Sequence, residues 1–265
     1  MLGNSRSSKP IYPSSLTSSR TILRSRICTL PASFSLSKQR FDIPYDCCVR
    51  ESTHYLNSQA LSVERGIIKT ENNLIIGNLT ASELLILETN NSPIAVNVTL
   101  VNDPEKKFDG GGDRHAEYSK FFIKTSNSPI HGTISLAATT KDHSGGKFLV
   151  GAFTSNSPLH IRFADAPVDS TLRFNGFTSN SPAVALLHPT YQGDLLVKSN
   201  LFGPKVEVKE DVKDPSGEGR SRTVDVSKAG KEITGKVYWG SEDENEDVFG
   251  SVRLGSTLFR STLKL

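Results

Sequence analysis

An all-β chain built from a short repeated unit is what the sequence predicts, on three observations. A six-residue motif returns along the chain. The residues on either side of it alternate apolar and polar with period two. No long segment after residue 60 carries the 3.6-residue period of an amphipathic helix. The expected architecture is a β-solenoid or β-helix-like stack of strand–turn–strand units with low helix content.

The motif reads Thr89-Asn90-Asn91-Ser92-Pro93-Ile94 at its first clear occurrence. It returns as Thr125-Ser126-Asn127-Ser128-Pro129-Ile130, as Thr154-Ser155-Asn156-Ser157-Pro158-Leu159 and as Thr178-Ser179-Asn180-Ser181-Pro182-Ala183. Degenerate copies start at Thr70 and at Ser199. Its chemistry is that of a turn. Asn tolerates a left-handed backbone and bonds its own turn. Pro fixes φ, pushes the preceding Ser toward extended geometry, and has no N–H to lose from a ladder. Stacked copies would set the Asn side chains above one another. The twelve positions that define the repeated turn are therefore Thr89, Asn91 and Pro93; Thr125, Asn127 and Pro129; Thr154, Asn156 and Pro158; and Thr178, Asn180 and Pro182.

The flanks assign the inward face. Stepping back by two from each Thr gives Leu87 and Leu85, Ile123 and Phe121, Ala152 and Val150, and Gly176 and Phe174; Val197 and Leu195 precede Ser199. Stepping forward by two after each Pro gives Ile94, Val96, Val98; Ile130, Gly132, Ile134; Leu159, Ile161, Phe163; and Ala183, Ala185, Leu187. Asn97, Thr99, Thr133, Ser135, His160 and Arg162 fall between them, as expected for strands with one buried and one wet face. The unequal spacing of the copies comes from insertions, chiefly residues 102–117, with Gly110-Gly111-Gly112, and residues 141–146.

Toward the C-terminus the pattern loosens. Val206 with Val208, Val224 with Val226, and Val237 read as strands. The segment from Ser256 to Leu265 lines up with the segment from Ser199 to Val208, and Val252 and Leu254 match the strand before Ser199. The last fifteen residues are thus one more copy, expected to close the stack.

Residues 1–50 are a different polymer, an expected disordered leader rich in Ser and Arg. Residues 1–40 contain no Asp or Glu and carry Pro10, Pro13 and Pro31. Such composition is shared by organellar transit peptides, and it lacks the continuous apolar core of a secretory signal. The β-repeat domain is expected over residues 61–265. A formal net charge of +3 is too small to argue for nucleic acid as a partner. The longest apolar runs, such as Leu84-Leu85-Ile86-Leu87, fall far short of the ~20 residues of a membrane-spanning helix. Cys28, Cys47 and Cys48 are odd in number and have no metal or redox spacing.

At the repeated Thr-Ser-Asn-Ser-Pro-Ile units, each between alternating strands, the chain resembles the adhesin-type β-repeat domain of bacterial cell-envelope proteins and of many fungal proteins. The Val237-Tyr238-Trp239-Gly240 segment, followed by an acidic loop and a last strand pair, is similar to the fungal members. The resemblance spans residues 61–265. It implies a non-enzymatic, adhesin-like or interaction protein at the cell surface or outside it, with an unknown protein or a surface polysaccharide as partner. It supplies no catalytic residues.

Candidate chemistry is sparse. His131 and His160 occupy the same position in successive copies, roughly 5 Å apart if stacked. Two imidazoles without a third ligand fall short of a metal site. Glu242-Asp243-Glu244-Asn245-Glu246-Asp247 has Val248 and Leu254 where a calcium-binding loop needs Gly and an acid. Asp165, Asp169, Glu207 and Asp211 are the set that a carbohydrate-active β-helix enzyme would use, and glycoside hydrolysis needs two of them within about 5–9.5 Å. No phosphate loop, nucleophile elbow or zinc-protease motif is present, and no cofactor is expected. The leading expectation is a non-enzymatic β-repeat scaffold. The alternatives are that enzyme and an intracellular structural protein, mitochondrial or cytoplasmic.

Overall fold

The computed structural model describes residues 26–27, 41–43, 47–51, 56–106, 117–241 and 250–265. Every element among them is a strand: β1 (Arg26–Ile27), β2 (Phe41–Ile43), β3 (Cys47–Glu51), β4 (Leu56–Thr70), β5 (Ile75–Glu88), β6 (Ile94–Asn102), β7 (Ser119–Lys124), β8 (Ile130–Ala138), β9 (Lys147–Thr154), β10 (Leu159–Asp165), β11 (Thr171–Thr178), β12 (Ala183–Leu186), β13 (Gly193–Ser199), β14 (Lys205–Glu207), β15 (Arg222–Ala229), β16 (Glu232–Trp239), β17 (Gly250–Ser256) and β18 (Ser261–Lys264). The chain is all-β and its pairing is mostly parallel. No described helix is long and apolar enough to cross a membrane.

Two parallel ladders organise the strands. One runs β4–β5–β6–β8–β10–β12–β18–β14. The other runs β3–β4–β5–β7–β9–β11–β17–β13. Strands β4 and β5 are long enough to serve both: residues 75–81 of β5 pair with β6 and residues 84–88 pair with β7. From β6 to β12, successive strands alternate between the ladders.

Period two decides which side chains meet between the ladders. In one, Leu85, Phe121, Val150, Phe174, Val252 and Leu195 form a column, and Leu87, Ile123, Ala152, Gly176, Leu254 and Val197 form the next. In the other, Ile75, Ile94, Ile130, Leu159 and Ala183 stack. All belong to the buried interior. Phe163 and Phe174, from opposite ladders, meet edge to face at 5.3 Å. Size is complementary down a column: a side-chain carbon on Gly132 would lie 3.0 Å from Ile161 Cδ1.

The place of the last copy differs from expectation. β17 and β18 do not close the stack. They lie inside it, β17 between β11 and β13, and β18 between β12 and β14. The physical reason is twofold. Val252, Leu254 and Ser256 have the same inward spacing as Leu195, Val197 and Ser199, so alternation alone cannot order the two. The outer edge of β13 is taken by β16, which pairs with it antiparallel and carries β15 as a hairpin. Glycine makes the insertion possible. A side-chain carbon at Gly193 would lie 2.3 Å from the Gly250 carbonyl oxygen, and one at Gly250 would lie 2.3 Å from the Leu172 carbonyl oxygen. Val208, read as part of a strand with Val206, lies beyond β14 and is exposed.

Of the leader only β1, β2 and β3 are described. β3 pairs with residues 66–70 of β4, so residues 47–51 extend the second ladder. The rest of the leader, most of the 102–117 insertion and the acidic segment 242–247 lie outside the described residues.

Candidate functional site

The repeated turns form one edge of the molecule. Thr89, Thr125, Thr154 and Thr178 are buried there, at 1%, 1%, 4% and 0% exposure. A Thr can be buried because its hydroxyl donates to the neighbouring turn: Thr154 Oγ1 to Ser128 O at 3.4 Å and Thr178 Oγ1 to Ser157 O at 3.2 Å. The Asn side chains form a ladder. Asn91 Nδ2 donates to Asn72 Oδ1 at 2.8 Å, Asn127 to Asn91 at 2.8 Å, Asn156 to Asn127 at 2.7 Å and Asn180 to Asn156 at 2.6 Å. Pro93, Pro129, Pro158 and Pro182 lack a donor, but their carbonyls accept from Ile75, Ile94, Ile130 and Leu159 at 3.0–3.2 Å. The structure thus brings all twelve turn positions to one edge.

Beyond Asn180 the ladder stops. Leu258 and Leu201 stand where the Asn would be, and Phe259 and Phe202 stand where the Ser would be. Leu201 is 65% exposed and Phe202 49%, and the Phe202 and Phe259 rings lie 5.9 Å apart.

The outer face of the first ladder carries a shallow groove of about 540 Å³. Its side chains stand in two rows set by strand register: Ala95, His131, His160 and Val184, then Asn97, Thr133, Arg162, Leu186 and Lys264. The second row crosses five strands, ~19 Å at the usual strand spacing. The two imidazoles sit 5.1 Å apart. Burial, and then the neighbouring His131, push the His160 pKa down. No carboxylate is among the groove's lining residues, and its permanent charges are Arg162 and Lys264, the latter paired with Glu207 at 3.1 Å just beyond the groove. Among the described residues, no group of three His, Cys, Asp or Glu could hold a metal ion.

Of the four carboxylates, Asp165 and Glu207 stand on different strands of the first ladder. Asp165 ends β10 and Glu207 ends β14, three ladder steps apart and out of register, since Glu207 aligns with Arg162, so more than ~14 Å separates them. Glu207 is also engaged by Lys205 at 2.7 Å and Lys264 at 3.1 Å, which hold its pKa down. Asp169 and Asp211 sit in turns with φ of 58° and 56°.

One cluster escaped sequence reasoning. His188, Tyr191, Gln192 and Trp239 are buried at 1–2% exposure where the hairpin meets β13. The Trp239 indole donates to Pro189 O at 3.1 Å, its backbone N–H donates to Gln192 Oε1 at 3.0 Å, and Tyr191 donates to Asp194 O at 2.8 Å. The Arg222 guanidinium lies 5.9 Å from the Trp239 ring centre. Burial, followed by the Arg222 charge, drives the His188 pKa down to about 3. The visible signal was the single Trp; its partners lie 47 and 50 residues upstream, beyond any local pattern.

No known protein family, curated protein or solved structure matches this chain.

Proposed function

We propose that the protein is a non-enzymatic β-solenoid scaffold of adhesin-like type, and that it binds a surface polysaccharide carrying acid groups. The single observation behind this reading is the groove over the first ladder. It is long, open, floored by strands, lined by hydrogen-bonding side chains in register, and carries the Arg162 charge with no carboxylate among its lining residues. A rigid array at fixed strand spacing meets a repeating polymer with little ordering cost on the protein side. Arg162, joined by Lys264 where an acid group displaces its Glu207 partner, gives charge complementarity and a salt-sensitive on-rate.

The experiment is co-sedimentation of the full chain with insoluble acidic and neutral polysaccharides, repeated with Arg162→Gln/Lys264→Gln. Both side chains reach solvent, so the variant keeps the parent's melting temperature. The expected result is retention on the acidic polymer, weakened by salt and lost in the variant. Equal retention by parent and variant, or none by either, contradicts the reading. Release of reducing ends during the incubation would favour the carbohydrate-active enzyme instead.

A further inference from the structure

The inserted copy has a consequence for association, independent of the groove. Residues 250–265 fill a slot with two walls. β11 and β12 form one, β13 and β14 the other, and all four pair parallel to the insert. The slot reads its occupant closely. Val252, Leu254, Leu263 and Leu265 are buried in it at 0–7% exposure. Thr257 N donates to Thr178 O at 3.2 Å, Leu258 N to Ser179 O at 3.0 Å, Ala183 N to Arg260 O at 3.2 Å, and Lys209 N to Leu265 O at 3.0 Å. Ser256 Oγ donates to Ser181 O at 2.8 Å and Ser199 Oγ to Phe259 O at 2.5 Å.

The occupant follows the β15–β16 hairpin, which pairs with β13 of the slot's second wall. When it leaves, both walls present unpaired parallel edges of matching register, a template for strand addition. The segment that satisfies those edges best is the same segment of another copy, since every ladder bond and buried side chain is reproduced.

We propose that the slot between β11/β12 and β13/β14 accepts residues 250–265 from a second copy of this chain, so that two molecules exchange their inserted strand pair. Contacts within the slot are the same in cis and in trans, so concentration sets the balance against the tethered segment.

Asn175 of β11 and Arg253 of β17 are register partners and both are exposed. In a background with Cys28, Cys47 and Cys48 replaced by Ser, one full-length chain carries Asn175→Cys and another carries Arg253→Cys. The two are mixed, unfolded, refolded across a concentration series and treated with a short bis-maleimide. The expected result is a cross-linked heterodimer whose yield rises with refolding concentration. A double variant, Asn175→Cys/Arg253→Cys, reports the pair within one chain. Cross-linked monomer from the double variant with no heterodimer at any concentration overturns the proposal. No cross-link in the double variant also overturns it, because β17 would not lie beside β11. Light scattering on the unmodified chain after the same refolding gives a second reading: a dimer fraction growing with concentration supports exchange, and monomer throughout contradicts it.

Discussion

The turns between β5 and β12 and the region after β12 solve one problem in two ways. Both must satisfy backbone groups where the chain leaves one ladder for the other. In the first region each turn repeats the same Thr, Asn and Pro, so the solution is a column: hydroxyls to carbonyls, amides to amides, proline carbonyls to strand N–H groups. After Asn180 that column gives way to Leu and Phe, a strand pair is inserted out of chain order, and an antiparallel hairpin closes β13. A repeat can thus fix the local turn without fixing the order of the strands. Order in the second region rests on particular contacts, namely the Trp239 anchor and the close approach at Gly193 and Gly250.

The largest effect should come from emptying the shared interior. Ile130, at 0% exposure, and Leu254, at 2%, belong to one core. Each substituted by Ala should cost about 2–5 kcal/mol in chemical denaturation. Hydrogen exchange should separate them. Ile130→Ala should loosen the strands around Thr89 and Thr154, whereas Leu254→Ala should loosen β11, β13 and the hairpin. Identical exchange patterns would erase the distinction between the regions.

Acid should strike the second region next. His188 has a folded pKa of about 3 against 6.5 in an unfolded chain. The unfolded chain binds the proton more readily, so the stability from neutral His188 is complete above pH 6.5. It is lost as pH falls from there toward 3, at up to about 1.4 kcal/mol per pKa unit. Melting temperature between pH 7 and 4 should therefore fall less steeply for His188→Gln than for the parent, and hairpin amides should exchange first. Parallel curves would assign the acid sensitivity to other groups.

Glycine offers a sharper comparison. Gly250→Ala drives a methyl into the Leu172 carbonyl and should cost about 1–3 kcal/mol, as overpacking does. Gly203→Ala meets only Lys228 Nζ at 3.5 Å and should leave the melting temperature near the parent's. Equal effects would mean that β17 is not held between β11 and β13.

The smallest effects belong to the turn column. Asn127→Ala removes one donor and one acceptor from an exposed ladder and should cost about 1 kcal/mol. Pro129→Ala should cost about 1 kcal/mol or less, chiefly by freeing the unfolded chain. Urea titration resolves both from the Ile130→Ala lesion. A cost for Asn127→Ala near that of Ile130→Ala would make the ladder, rather than the interior, the main support of these turns.

Much of this was legible in the sequence because period two is a local property. Leu85, Phe121, Val150 and Phe174 were readable as one inward set, and the structure stacks them in a column. The Asn column was likewise foreseeable from equal spacing to Thr and Pro. Strand order was not, since Leu195 and Val197 fit the same slot as Val252 and Leu254. The antiparallel hairpin escaped because Val224, Val226 and Val237 alternate alike in either direction. Of the groove, the His131–His160 stack was readable, whereas Lys264 joins Arg162 only through the out-of-order insertion of β18.

β17 separates β11 from β13. Cysteine pairs in the monomer test it directly. Asn175 is register partner to Arg253, and Arg253 is register partner to Leu196. Adjacent strands lie about 4.8 Å apart, so Asn175 stands one spacing from residue 253 and two from residue 196. Spin labels or short cross-linkers on Asn175→Cys/Arg253→Cys and Asn175→Cys/Leu196→Cys should therefore report the first pair as closer by about one strand spacing. If the second pair is the closer, β13 follows β11 directly in chain order, and the inserted strand pair does not exist.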